Sequence, residues 1–265
     1  MDILQAIVLG TIQGIGEFLP ISSSGHLVLV PYIFNWQYQG LSFDIALHMG
    51  TLLAVLAYFG KDWVGIIGNA IAHDREKIDG EYPSNIFWII MIASVPAAFA
   101  GYFLENLAEN ALRNPLLVAI MLIVFAILLW LADLGSKKNL EIKDIGYTKG
   151  FLIGVAQAIS LFPGVSRSGV TGSAGLLLGL NREKAMRFSF LLATPAVLGA
   201  FVLTLNKFNA SAINLPFIVA VATSAIFGFL SIKYLLKYLK NHGFLPFVIY
   251  RIALAALILI IYFTR

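Results

Sequence analysis

One stretch of the sequence occurs twice, and this duplication restricts the possible folds more than any other feature. Residues 10–25 read GTIQGIGEFLPISSSG and residues 154–169 read GVAQAISLFPGVSRSG, with 7 of 16 positions identical and no gap. In each copy a glycine-rich apolar segment runs into a proline and then a serine cluster. Self-similarity at a fixed offset indicates two copies of one structural unit. We therefore expect a chain built from two related halves.

The composition places both halves in a membrane. Of the 265 residues, 59% are apolar and 12% are charged, whereas soluble domains are about 45–50% apolar and about 25% charged. The absence of cysteine excludes disulfides and thiol chemistry. The net charge of +4 does not indicate a nucleic-acid partner, because the basic residues lie in short loops between apolar runs. The sequence predicts an all-α integral membrane protein.

The duplicated stretch interrupts apolar segments that are too short to cross a bilayer. Residues 3–19 and 21–34 are separated by Pro20 and the serines, and a membrane-spanning helix needs about 20 apolar residues. Non-helical backbone at membrane depth survives only inside protein or beside a wet cavity. We therefore predict a re-entrant helix pair over residues 3–34 and an equivalent pair over residues 149–180.

The remaining apolar segments predict three full spans in each half. The first repeat, residues 1–133, contains spans at 41–60, 86–104 and 115–133, with a polar loop over 61–85 that has room for one amphipathic turn. A linker follows at 134–148. The second repeat, residues 149–265, contains spans at 186–205, 214–236 and 246–263. Because three crossings is an odd number, the second half is inverted relative to the first. The two broken pairs would then meet near the midplane, as in transporters with inverted repeats.

The distribution of basic residues predicts the orientation. Thirteen basic residues fall on one side, in the loops at 61–85, 134–149, 181–187 and 233–243: Lys61, Arg75, Lys77, Lys137, Lys138, Lys143, Lys149, Arg182, Lys184, Arg187, Lys233, Lys237 and Lys240. Three fall on the other side: Arg113, Lys207 and Arg265. Since cytoplasmic loops carry the excess of Lys and Arg, the linker is cytoplasmic and both termini lie outside.

Two ionisable residues mark the broken pairs as a site. Glu17 in the first copy and Arg167 in the second both lie at apparent membrane depth, where charged side chains are costly and usually functional. Glu17 is a candidate metal ligand or general base, and Arg167 is a candidate clamp for phosphate oxygens because its planar fork matches them. A structural ion pair between the two is the alternative.

Hydroxyl groups surround both candidates. Ser22, Ser23 and Ser24 precede His26 in the first copy, and one of them could act as a nucleophile with His26 as its base, as a phosphate-binding group or as a leaving-group acid. In the second copy Ser166 and Ser168 flank Arg167 and form an anion cradle with the backbone N–H groups. Helix capping by a serine and a satisfied buried histidine are the structural alternatives.

Gln13 and His48 are further polar residues with less specific signals. Gln13 lies one helical turn before Glu17, so that its carbonyl oxygen could complete a divalent-cation site, or its amide could join the two pairs structurally. His48 shares a helix face with Asp44 and is only a weak candidate for lining the cavity.

The motifs GIGEFLPISSSGH at 14–26 and PGVSRSG at 163–169 resemble the two signature motifs of the undecaprenyl-diphosphate phosphatase family, the bacitracin-resistance membrane phosphatases. The resemblance extends along the full chain, including NREKAMRFSFLLATPAVLGA at 181–200. It implies a bacterial plasma-membrane enzyme, opening outside the cytoplasm, that converts undecaprenyl diphosphate to the monophosphate. Such an enzyme recycles the lipid carrier of cell-wall synthesis and requires a divalent cation, Mg²⁺ or Ca²⁺.

The family's motif residues fall on Glu17, Ser22, Ser23, His26 and, as a Ser-Arg pair, on Ser166 and Arg167. Where the family often has a second glutamate, this chain has Gln13, an amide that offers an oxygen ligand but neither charge nor a proton site.

Two alternatives remain open from the sequence. The nucleophile is Ser23 or an activated water. The protein is a phosphatase, or a transporter or flippase of a polyprenyl phosphate or another anionic substrate that uses the same inverted-repeat pocket. Membrane lipid is an expected partner, and a second copy of the chain in a homodimer is a further candidate partner.

Overall fold

The computed structural model describes residues 1–71, 82–109, 114–204 and 213–264, and the named elements in these ranges are eleven α-helices and two short 3-10 helices. These elements confirm the predicted fold class, a helical chain with apolar spans, for the described residues. Some residues used in the predictions lie outside the described residues: Arg75, Lys77, Arg113, Lys207, Arg265 and residue 205 at the end of one predicted span.

The helices of the N-terminal part are α1 (Ile3–Phe18), α2 (Ser23–Phe34), α3 (Leu41–Tyr58), α4 (Gly60–Ile71), α5 (Ile86–Glu109) and α6 (Pro115–Gly135). Helix α1 begins at a capping box in which Asp2 and Gln5 accept each other's backbone N–H. It ends at Phe18, because Leu19 is extended before Pro20.

The C-terminal part contains α7 (Tyr147–Ala158), α8 (Arg167–Leu177), α9 (Arg182–Thr204), α10 (Leu215–Leu239) and α11 (Leu245–Thr264), with 3-10 turns at Ile142–Asp144 and Ile159–Leu161. The second broken pair thus consists of α7 and α8. Like α1 and α2, these helices have 11 to 16 residues and are shorter than a membrane span.

Five helices within the described ranges are long and apolar enough to cross a membrane: Ile86–Leu104, Pro115–Gly135, Arg182–Leu203, Leu215–Leu239 and Leu245–Thr264. The predicted span at 41–60 corresponds to α3, which bends by 77° into α4, and the two count as a sixth crossing only if they form one broken span.

The polar loop predicted over residues 61–85 was wrong over its first part, where α4 forms. The segment begins with a lysine, an aspartate and glycines, which are typical of a loop. It nevertheless forms an amphipathic helix whose Ile66 is fully buried. Arg187 of α9 donates to Asp62 of α4 at 2.8 Å and to the Tyr82 hydroxyl at 2.7 Å, and Tyr82 donates to Asp62 at 2.8 Å. This network fixes α4 beside α9, and burial raises the pKa of Tyr82 well above its usual range.

Helices from different halves pack on each other. Helix α1 lies along α10, and α7 lies along α5. A glycine permits each approach, since a Cβ at Gly10 would collide with the backbone carbonyl of Ala220 and one at Gly154 with that of Ala93. These two glycines are equivalent in the sequence repeat.

The molecule combines an aromatic and aliphatic core with an apolar exterior. Phe18 of α1 packs edge-to-face on Phe190 of α9, with 5.1 Å between ring centroids, and both belong to the largest buried cluster of the described residues. On the outside, Phe99 of α5 and Phe263 of α11 are 66% and 75% exposed among many other large apolar side chains. A soluble monomer rarely exposes so much apolar surface, so the chain is a multi-pass membrane protein.

Candidate active site

The two breaks in the repeated stretch have similar serine caps. Ser22 and Ser166 both have φ of 72°, and each side chain accepts the N–H of the glycine three residues later, Gly25 or Gly169, at 3.2 Å. Positive φ is uncommon for a residue with a side chain and is retained when the surroundings impose it. Each serine is the N-cap of the following helix, so Ser23 and Arg167 are the first residues of α2 and α8.

The two breaks also touch each other. The backbone N–H of Gly164 donates to Ser22 Oγ at 3.1 Å, and Ser168 Oγ donates to the Leu19 carbonyl at 3.2 Å. The N-termini of α2 and α8 therefore adjoin. Helix N-termini carry unpaired N–H groups and partial positive charge, and two together form a region suited to an anion such as phosphate.

Glu17 is the residue at which Gln13, Ser23 and Arg167 meet. Its side chain is 6% exposed, and Oε1 accepts from Arg167 Nε at 3.0 Å and Nη2 at 2.9 Å. Oε2 accepts from Ser23 Oγ at 2.8 Å and from Gln13 Nε2 at 3.1 Å. One carboxylate thus joins the first broken pair to the second and holds a serine hydroxyl at the start of α2.

Arg167 is held on both sides of its guanidinium. Besides the two bonds to Glu17, Nη1 donates to the Ser189 carbonyl of α9 at 3.0 Å. Thr171, one turn further along α8, shares a 2.6 Å hydrogen bond with Ser189 Oγ. A guanidinium has five N–H donors, and these contacts use three of them. The fork is therefore fixed in direction, and donors remain for an anion.

His26 has partners other than Ser23. Its Nδ1 is 2.7 Å from the Ser22 carbonyl oxygen, an acceptor only, so Nδ1 carries a hydrogen; Nε2 is 2.7 Å from the Tyr250 hydroxyl. The Tyr250 ring stacks on the imidazole with 5.7 Å between centroids. In the neutral ring Nε2 accepts a hydrogen bond from the tyrosine hydroxyl. The histidine thus supports the first break, while the hydroxyl proton of Ser23 points at Glu17.

A family model described as bacitracin resistance protein BacA matches residues 6–257, which is nearly the whole chain. The chain belongs to the BacA family. Relatives named undecaprenyl-diphosphatase include those of Pelotomaculum thermopropionicum, 49% identical over 261 residues that cover 98% of this chain and 97% of that protein, and Moorella thermoacetica, 46% identical over the full length of both chains. That of Caldicellulosiruptor bescii is 46% identical and covers 100% and 99% of the two chains. The resemblance seen in the sequence motifs is therefore confirmed.

His48 of α3 also contacts Glu17, although its sequence signal was weak. Nδ1 is 2.7 Å from the Asp44 carbonyl and so carries a hydrogen, and Nε2 lies 3.4 Å from Glu17 Oε2. In the neutral ring these two facing atoms are both acceptors. Their approach is favourable when a proton or a cation lies between them.

The donors around Glu17 are of the kinds that hold a divalent cation in a phosphate-transfer site. Gln13 is fully buried, and its Oε1 has no hydrogen-bond partner among the described residues. Within the described ranges no cluster of three or more His, Cys, Asp or Glu side chains could hold a metal ion. Gln13 presents Nε2 to Glu17, so its oxygen would share a cation with the carboxylate after the amide rotates by 180°. One carboxylate and one amide oxygen would then fit Mg²⁺, which often takes few protein ligands and completes its shell with water and substrate phosphates.

The sequence did not indicate two residues that contact the candidate site and its two breaks. Tyr250 and Arg251 lie side by side in α11, within a predicted span, and their contacts reach residues more than 80 positions away. The only available signal was an arginine inside an apolar segment, which membrane energetics makes unusual.

Of the predicted phosphate-binding serines, Ser24 bonds Ser22 at 3.3 Å and Ser168 bonds Ser166 at 3.2 Å.

Proposed function

We propose that this chain hydrolyses undecaprenyl diphosphate to undecaprenyl phosphate and inorganic phosphate, returning the lipid carrier to peptidoglycan synthesis and giving bacitracin resistance. The observation that carries the proposal is the attachment of Ser23 and Arg167 to one buried carboxylate, Glu17, at two adjoining helix N-termini. A nucleophile, a proton acceptor and an anion clamp are thus within one site. The full-length relatives named undecaprenyl-diphosphatase support the same substrate.

The clamp binds the diphosphate. The free donors of Arg167 and the N–H groups at the starts of α2 and α8 would bind the phosphate oxygens, with the hydroxyls of Ser22, Ser24, Ser166 and Ser168 at their rim. Phosphoryl transfer depends mainly on positioning and on stabilising charge, and fixed donors in a site shielded from water provide both. The prenyl chain would remain in the lipid beside the apolar outer surface.

Ser23 is the proposed nucleophile. Its Oγ attacks the terminal phosphorus, its proton passes to Glu17 Oε2, and the bond from that phosphorus to the bridging oxygen breaks. Glu17 delivers the proton to the departing undecaprenyl phosphate. In the second step Glu17 takes a proton from the attacking water and returns it to Ser23 Oγ as the phosphoserine bond breaks. Because Ser23 bonds Glu17 at 2.8 Å, we assign the proton to Glu17 and not to His26.

A bound Mg²⁺ or Ca²⁺ would supply positive charge that offsets the charge developing on the diphosphate. Glu17 and the amide oxygen of Gln13 are the proposed ligands, and His48 Nε2 faces the same carboxylate oxygen. An amide oxygen in place of a second carboxylate makes the donor set less negative, so that weaker cation binding is expected of this chain than of relatives with two motif glutamates.

The finer topology and location are part of this proposal. We place six crossings and two re-entrant pairs in an inverted repeat, in the bacterial plasma membrane, with the site opening outside and both termini outside. Support comes from the positive φ of 72° at the cap serine of both breaks and from the exchange of packing partners, α1 on α10 and α7 on α5. The charge asymmetry of the loops supports the orientation.

The deciding experiment uses purified protein in detergent and undecaprenyl diphosphate labelled with ³²P on the terminal phosphate. We expect release of labelled phosphate and, after acid quenching of a single turnover, a labelled protein whose label disappears in Ser23→Ala. Ser94→Ala is the matched control, since Ser94 bonds only its own helix carbonyl, Ile90, at 2.8 Å.

Each outcome separates the alternatives. Phosphate release without labelled serine would replace Ser23 by an activated water as nucleophile. No phosphate release from the parent protein, together with translocation of a polyprenyl phosphate in reconstituted vesicles, would overturn the phosphatase and favour the transporter.

A further inference from the structure

Arg251 of α11 is a buried cation outside both motifs. Its side chain has no exposed surface and is the largest fully buried side chain of the described residues. No carboxylate within those residues forms an ion pair with it. A buried charge is costly unless polar groups surround it, so the position of Arg251 needs a reason.

The guanidinium binds backbone carbonyls of both breaks. Nη2 donates to Gly164 at 2.7 Å and to Val165 at 3.1 Å, and Nη1 donates to Pro20 at 3.3 Å. Nε donates to Leu122 of α6 at 3.2 Å. Four N–H donors thus reach four carbonyls, three of which belong to the non-helical segments between α1 and α2 and between α7 and α8.

These carbonyls immediately precede the strained serine caps. Pro20 is two residues before Ser22, and Val165 is next to Ser166; both serines have φ of 72°. A residue keeps such a conformation when its surroundings determine it, and carbonyls that leave a helix at membrane depth need donors from elsewhere in the protein. Gly169 leaves room for the guanidinium, because a Cβ there would lie 3.1 Å from Arg251 Nη1.

We propose that Arg251 is a positioning residue, which holds the two breaks in register so that Ser23 and Arg167 meet on Glu17. This inference rests on the proposed phosphatase function for its kinetic consequence, but its structural consequence is independent of it. The described contacts of Arg251 are all to backbone carbonyls, and so it acts through the loops and not on the substrate.

The proposal distinguishes geometry from charge. Lysine retains the positive charge but has a compact ammonium on a flexible stem, and it lacks the planar fork needed to reach carbonyls in two segments. Arg251→Lys should therefore lose activity although it retains the positive charge. If the role of Arg251 were purely electrostatic, Arg251→Lys would keep the activity of the parent. Arg251→Met tests the same position without charge. Arg182→Lys is the matched control, because Arg182 also makes a two-point contact, to Asp133 of α6 at 2.6 and 3.2 Å.

Two readouts test the proposal on protein purified in detergent. For undecaprenyl diphosphate hydrolysis below the thermal transition we expect kcat to fall at least tenfold in Arg251→Lys and further in Arg251→Met, with KM within threefold of the parent. For amide hydrogen exchange we expect at least tenfold faster exchange in peptides covering residues 19–26 and 162–170. Arg182→Lys should change neither.

The two readouts distinguish a failure of the proposed phosphatase function from a failure of the positioning role of Arg251. If the parent releases no phosphate, the proposed function fails, and hydrogen exchange alone decides the role of Arg251. Unchanged exchange in both breaks of Arg251→Lys would overturn the positioning role. The positioning role would also be overturned if folded Arg251→Lys had the kcat of the parent. The same holds if its kcat fell only as much as that of Arg182→Lys. If Arg251→Met does not fold, Arg251→Lys decides alone.

Discussion

The first and second breaks share a backbone but differ in their chemistry. Both end an apolar helix, place a serine cap at φ of 72° and begin a new helix with the next residue. That next residue is Ser23 in one break and Arg167 in the other, and the position of Glu17 is occupied by Leu161 in the second copy. The repeat has therefore kept the structure that presents a side chain and has changed which side chain is presented.

The difference explains why neither break is sufficient alone. The first break contributes the hydroxyl and the carboxylate, the second contributes the guanidinium, and the bonds between Glu17 and Arg167 connect them. A pair of identical breaks would present two hydroxyls without a clamp, or two guanidinium groups without a proton acceptor. The following predictions test this division of roles.

The largest effect is expected from removing the cation of the second break. Arg167→Ala should lower kcat/KM for undecaprenyl diphosphate by about a thousandfold or more, the range found when an arginine that stabilises phosphoryl transfer is lost. The variant also leaves Glu17 buried without its main partner, so lower thermal stability is expected. Phosphate release and thermal unfolding in detergent measure the two effects.

Arg182→Ala is the control, since it removes an arginine with its own carboxylate partner, Asp133, away from the breaks. Activity of Arg167→Ala within tenfold of the parent would mean that the second break does not provide the clamp.

A large effect is also expected from the first break. Glu17→Gln keeps the size of the side chain but removes its charge and its capacity to take the Ser23 proton, and loss of a proton acceptor typically costs about 10² to 10⁴ in rate. Thermal stability should fall as well, because breaking a buried ion pair by removing one partner costs about 3–5 kcal/mol. Single-turnover hydrolysis at saturating lipid measures the chemical step.

The control variant Leu161→Gln introduces the same residue at the equivalent position of the second copy. It should leave the rate of hydrolysis unaltered. Equal losses in the two variants would show that the breaks do not differ in the way described.

His48 sharpens the comparison because it approaches the first break from α3. His48→Gln should reduce kcat/KM about tenfold, since the ring contacts Glu17 Oε2 at 3.4 Å but does not bond Ser23. If the ring also takes part in cation binding, the Mn²⁺ electron paramagnetic resonance spectrum of the parent will show coupling to an imidazole nitrogen that the variant lacks. An unchanged rate and spectrum would assign His48 to packing alone.

The parts of the fold that the sequence predicted are those determined by local composition. Predicted spans at 115–133, 214–236 and 246–263 correspond closely to α6, α10 and α11, because a long apolar run in a membrane must form a helix whatever its neighbours. Helix α4 was missed because its burial depends on contacts with distant residues, such as the bond from Arg187 to Asp62.

The candidate site divides in the same way. Glu17, Ser23 and Arg167 could be found from the duplicated motif, since the chemistry of each is written in its own segment. The contact between His48 and Glu17 and the grip of Arg251 on both breaks depend on how separate helices pack. Neither contact leaves a local pattern. For Arg251, the energetic cost of a charge in an apolar span was the one signal that could have drawn attention to it.

The smallest expected effect is also the most direct test of the shared backbone. Ser22→Ala and Ser166→Ala each remove a helix cap, which costs about 1 kcal/mol. The two losses should differ, because Ser22 Oγ also accepts the N–H of Gly164, and an unsatisfied buried donor costs about 1–3 kcal/mol more. We therefore expect Ser22→Ala to be the less stable variant in thermal unfolding. Ser22→Gly and Ser166→Gly should separate the cap from the strain, since glycine tolerates φ of 72°. Equal stability of the two alanine variants would indicate that the link from Gly164 to Ser22 contributes nothing. The breaks would then be held together by Arg167, Arg251 and the bond from Ser168 to the Leu19 carbonyl.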